Sequence, residues 1–123
     1  MYQRILVGTD GSKTAAKAVD RAVQVAASSS ATLTILSVGK PDRGSQVVQA
    51  EAERHAGSGV DIETKVVDGD PVAGLVAEAA AGSFDLLVMG NKGMTGLTRF
   101  LRGSVPNKVA HHLPCNLLIV KTT

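Results

Sequence analysis

The chain has 123 residues, 44% of them hydrophobic, a net charge of +2 and one cysteine. That length and apolar share suit a single domain, residues 1–123, around one core. Near-balanced charge and 2% aromatic content argue against a dedicated nucleic-acid binder, which needs a basic face or stacking platforms, and a lone cysteine excludes an internal disulfide.

From the start, "YQRILVGTDG" reaches a turn after a few apolar residues, so neither a signal peptide nor a membrane span is expected and a cytoplasmic location is the default. "RILVG" (Arg4 to Gly8) reads as a buried strand. A helix follows from Ser12, a suitable N-cap, with Ala15, Val19, Ala22, Val23 and Ala26 at helical spacing. "TLTILSV" (Thr32 to Val38) is a second strand, Gly39 to Gly44 a loop, and Ser45 to Ala56 a short helix. "DIETKVV" (Asp61 to Val67) alternates polar with apolar as a strand does. The turn "DGDP" leads to a helix from Pro71 or Val72 to Ala81, since proline suits a first helical position. "DLLVMG" (Asp85 to Gly90) is the fourth strand. Beyond it Ser104 caps a helix to His112, and "CNLLIVK" (Cys115 to Lys121) is the fifth strand.

Strands separated by helices imply right-handed crossovers and a parallel sheet covered on both faces, an α/β three-layer sandwich. Unbroken apolar runs place strands one and four centrally, whereas Asp61, Glu63 and Lys65 mark strand three as an edge. The five-stranded sheet then has the order 3-2-1-4-5. Ligands bind such a sheet at the carboxyl ends of the strands where the order reverses, here between strands one and four. The loops there are "GTDGS", with Asp10, and "GNKGMTGLTRFLRGS", which has four glycines, one lysine and two arginines but no acidic residue. Free amides at Gly103, Ser104 and Val105, at the start of a helix, suit an anion.

Gly90, Gly93, Gly103 and Ser104 fit the pattern G-2x-G-9x-G-(S/T), and with "ILVGTDGS", "GDPV", "DLLVMGNKG" and "LRGSVPNKVAHHLPCNLLIVKTT" the chain resembles the nucleotide-binding universal stress proteins over nearly its whole length. The resemblance implies an ATP-type adenine-nucleotide site, with any Mg²⁺ held mainly by the phosphates, in a homodimer paired through Cys115 to Lys121 that serves stress signalling. It further implies Asp10 near adenine and ribose, Val38 at the adenine, and Gly90, Gly93, Gly103, Ser104 and Val105 at the phosphates, with Thr9, Met89, Asn91 and Lys92 in neighbouring positions. The connection "GKPDRGSQ" after strand two is shorter than in the family pattern, which implies a more open site.

Other readings fit less well. "GTDGSKT" misses the phosphate loop G-x-x-x-x-G-K-[ST] because Ser12 separates Gly11 from Lys13, and the dinucleotide fingerprint is missing after strand one. A phospho-accepting receiver domain, with Asp10, Asp68 and Lys121, would bury Glu63 and Lys65 in a central strand. No spaced His, Cys or carboxylate set suggests zinc or catalysis, so a binding module is expected ahead of a slow nucleotide hydrolase or phosphotransferase. Gly11 also suits a turn, Gly8 a close backbone approach, and Cys115 a buried strand position.

Overall fold

The computed structural model describes residues 1–91 and 113–122. Its elements in chain order are β1 (Arg4–Gly8), α1 (Lys13–Ser29), β2 (Thr32–Val38), α2 (Pro41–Arg54), β3 (Asp61–Val67), α3 (Pro71–Ala81), β4 (Leu86–Gly90) and β5 (Asn116–Val120). The five strands form one sheet in the order β3-β2-β1-β4-β5, with every pairing parallel. The expected α/β sandwich and strand order are therefore those of the molecule.

The two faces of β1, β2 and β4 are buried under different helices. Ile5, Val7, Leu33, Ile35 and Val88 pack with Ala18, Val19 and Ala22 of α1 and Val48 of α2. Leu6, Leu36, Leu87 and Met89 face the other way, onto Val72, Leu75 and Ala79 of α3. Burial on both faces explains why β1, β2 and β4 read as apolar runs without alternation. In β3 the side chains of Asp61, Glu63, Thr64 and Lys65 are exposed, as suits an edge. At the opposite edge, β5 exposes Asn116 and Ile119.

The glycines let helices approach the sheet. A Cβ on Gly8 would lie 2.8 Å from Leu75 Cδ2, so α3 rests directly on the end of β1. A Cβ on Gly44 would lie 2.6 Å from Val66 Cγ1. This second contact corrects the sequence reading of Gly39 to Gly44 as a loop followed by a helix from Ser45. Gly44 sits in the first turn of α2, where its missing side chain lets the helix close on β2 and β3, and Pro41 occupies a first-turn position that needs no N–H partner.

The start of β1 is pinned by Asp85, whose carboxylate accepts from the Gln3 and Arg4 N–H groups at 2.8 and 3.1 Å. Arg54 bridges α2 to Asp20 of α1 at 2.7 Å, and His55 Nε2 lies 2.9 Å from the same carboxylate. Among the described residues no helix is long and apolar enough to cross a membrane.

Candidate functional site

The carboxyl ends of β1 and β2 meet at a tight loop. Thr9 is 1% exposed; its N–H donates to the Leu36 carbonyl at 2.9 Å, which holds the exit of β1 beside β2. The Gly11 N–H donates to Thr9 Oγ1 at 3.1 Å, and the Ser12 N–H to Asp10 Oδ1 at 2.9 Å. Gly11 adopts φ +84°, a left-handed conformation that glycine reaches without strain. Ser12 then caps α1, its Oγ accepting from the Ala15 N–H at 3.1 Å. The loop is thus fixed by its own side chains, and Asp10 is held on its outer side.

Asp10 and Val38 line one small pocket of about 70 Å³ with Ser37, Lys40, Arg43 and Val47. Two of the sequence-predicted residues, one from each of two neighbouring strands, therefore meet at the carboxyl end of the sheet. The Val38 side chain packs over Gly74 of α3, so the main chain is what β2 presents at the pocket. The side that the sequence reading left open is lined by the first turn of α2.

The remaining predicted residues are placed differently. Thr9 lies beneath the pocket with its hydroxyl engaged. Met89 is 3% exposed in the cluster under α3, so its side chain belongs to the core and only its main chain is offered to a ligand. Gly90 is buried at the end of β4, in register with Val120. Asn91 ties the ends of β4 and β5 together: its Oδ1 accepts from both the N–H and the hydroxyl of Thr122, each at 2.9 Å. Lys92, Gly93, Gly103, Ser104 and Val105, with the expected helix from Ser104 to His112, lie outside the described residues.

Ser37, Lys40 and Arg43 were missed by the sequence reading. The signal that could have found them is Pro41. The rule that started α3 at Pro71 also starts α2 at Pro41, which places Lys40 and Arg43 on a helix start at the carboxyl end of β2. Cys115, expected to be buried, is half-buried against the α3-side cluster and precedes β5. Burial pushes its thiol pKa up, and the nearby Asp85 carboxylate adds to the shift. Among the described residues no group of three His, Cys, Asp or Glu side chains is placed to hold a metal ion.

The family model described as "Universal stress protein family" matches residues 1–52 and 41–121. The chain belongs to the universal stress protein family. Among its relatives, universal stress protein YxiE of Bacillus subtilis is 30% identical, over 98% of this chain and 100% of that protein. Universal stress protein Rv1636 of Mycobacterium tuberculosis is 33% identical, over 99% of this chain and 98% of that one. In three dimensions the chain is similar to a universal stress protein crystallised in complex with cAMP, with a TM-score of 0.81 and 37% identity over 99% of each chain. This similarity spans β1, β2 and the loop holding Asp10.

Proposed function

We propose that this universal stress protein binds an adenine nucleotide at the carboxyl ends of β1, β2 and β4. The observation that carries the reading is the shared pocket of Asp10 and Val38, from neighbouring strands, at the sheet end where a parallel α/β fold takes its ligands. The similar structure crystallised with cAMP makes a cyclic nucleotide a candidate alongside ATP. Asp10 accepts hydrogen bonds from the ribose and the β2 main chain flanks the adenine. The glycine pattern from Gly90 through Gly93 to Gly103, with Lys92, Ser104 and Val105, holds the phosphates, which carry any Mg²⁺ themselves.

The same reading includes a cytoplasmic homodimer paired through Cys115 to Lys121, which signals by the nucleotide it holds. The exposed Ile119 on the β5 edge supports that pairing. Calorimetry with ATP, ADP, AMP and cAMP tests the site. The wild type binds at least one of them, and Asp10→Ala weakens that binding about tenfold or more, as expected for a charge-assisted hydrogen bond lost from a folded protein. Absence of binding by all four sinks the nucleotide reading.

A further inference from the structure

We propose that Asn91, Thr122 and Lys17 are positioning residues of the nucleotide site: together they fix the distance between its two walls, the carboxyl ends of β1 and β4. They act through the main chain and need not touch the ligand. This inference rests on the nucleotide reading above, which lays one molecule across both walls.

The strand pairing shows where the walls part. β1 and β4 are in register from Ile5 and Leu86 to Val7 and Val88. Past that point each strand follows its outer neighbour. β1 continues along β2 to Gly8 and Leu36, and the Thr9 N–H donates to the Leu36 carbonyl at 2.9 Å. β4 continues along β5 to Gly90 and Val120, and the Asn91 N–H donates to the Val120 carbonyl at 3.0 Å. The crevice where the strand order reverses is therefore bounded by one strand end held through β2 and by another held through β5.

Contacts beyond β5 hold the second wall. Thr122 is 2% exposed, and its N–H and its hydroxyl both donate to Asn91 Oδ1, each at 2.9 Å. Two donors fill the two lone pairs of that oxygen, so the Asn91 side chain has one orientation and the main chain after Gly90 is fixed with it. The Thr122 carbonyl in turn accepts from Lys17 Nζ at 3.1 Å. Lys17 stands near the start of α1, the helix that leads out of the Asp10 loop. The three residues thus run as a strap from the β1 wall to the β4 wall.

Sheet pairing alone does not call for this strap. The ladder already joins β4 to β5 from Leu86 and Asn116 to Gly90 and Val120, and ordering a lysine side chain and a residue beyond the strand costs conformational entropy. A binding site gives that order a use. Its groups must be held within about 0.5 Å of their working positions by hydrogen bonds from residues behind them. A ligand that reaches from Asp10 to the end of β4 meets both walls at once, so its affinity depends on their separation.

The experiment is calorimetry on the full chain with whichever of ATP, ADP, AMP and cAMP the wild type binds, for Asn91→Ala, Thr122→Val and Thr122→Ser. None of these variants alters a charge, so a loss is not one of attraction for phosphate. Asn91→Ala is expected to lose about fivefold or more in affinity. Thr122→Val, which keeps the shape and the N–H but not the hydroxyl, should lose about threefold, the scale of one hydrogen bond. Thr122→Ser keeps the hydroxyl and should bind as the wild type does, and thermal melts confirm that each variant folds. Amide hydrogen exchange reads the strap directly: it should rise at residue 91 in Thr122→Val and at Thr122 in Lys17→Met, and stay at the wild-type rate in Thr122→Ser. If Asn91→Ala loses affinity and Thr122→Val does not, Asn91 acts on the ligand directly. If no variant loses affinity, if Thr122→Ser loses as much as Thr122→Val, or if exchange is unchanged at either position, the strap has no part in binding. Each of these results overturns the proposal and leaves the nucleotide reading in place, whereas a wild type that binds none of the four nucleotides overturns both.

Discussion

Two helices begin beside the same pocket, and their first turns are built on opposite plans. At α1 the loop closes on itself: Gly11 donates to Thr9, Ser12 to Asp10, and Ala15 to Ser12. The side chains of Thr9, Asp10 and Ser12 each accept from an N–H of the same segment, and the geometry follows from sequence-local chemistry. At α2 the cap position holds Lys40 without a cap hydrogen bond, and only Asp42 opposes the cations of the first turn. The core side of that turn is well made, with Gly44 closing on Val66 and Val48 only 2% exposed. Its outer side breaks the local rules for a helix start. A fold that is locally consistent elsewhere tends to break such rules where a ligand is to be bound. One first turn is closed by its own side chains, and the other is left without a side-chain cap.

Ser12→Ala tests the first half of that contrast and carries the larger stability effect. It removes the acceptor for the Ala15 N–H, and loss of such a cap costs about 1 kcal/mol. The expected outcome is a fall of a few degrees in the thermal midpoint, with nucleotide affinity within about threefold of wild type because Asp10 and the α2 turn are untouched. A loss of affinity far beyond that, in a protein that still melts cooperatively, would show that the α1 start contacts ligand and would blur the distinction between the two turns.

The sequence was informative where a single physical requirement decides the residue. Burial on both faces forces the unbroken apolar runs of β1 and β4, and exposure of one face forces the alternation of Asp61, Glu63 and Lys65 in β3. Strand order followed from those patterns. The place of Asp10, at the turn beyond the carboxyl end of β1, was legible because a carboxylate stands at a glycine-bearing turn where the strand order reverses. The start of α2 was not, because glycine and proline carry two meanings. In "GKPDRG" they were read as loop residues, whereas Pro41 opens a helix and Gly44 is the contact that seats it on the sheet. Once that turn is taken for a loop, nothing marks Lys40 and Arg43 as neighbours of Asp10. Their common pocket exists only in three dimensions. Met89 shows the converse error of emphasis, since its place next to Gly90 in sequence says nothing of which face of β4 its side chain takes.

Lys40→Ser offers the smaller but more discriminating test, because its two effects have opposite signs. Serine is a favoured cap and lysine is not, and removal of a positive charge from the positive end of the α2 dipole relieves a further repulsion. Together these changes should stabilise the free protein by about 0.5–1 kcal/mol, read as a higher midpoint in denaturant with an unchanged slope. In the same variant, nucleotide affinity should fall, because one of the two cations on the pocket has gone. Gain in stability with loss of affinity is the signature of a helix start kept uncapped for a ligand. If Lys40→Ser lowers both, the lysine supports the fold by a contact of its own. If it raises stability and leaves every affinity as it was, the uncapped start has no part in binding. Either result would make the two turns alike in purpose.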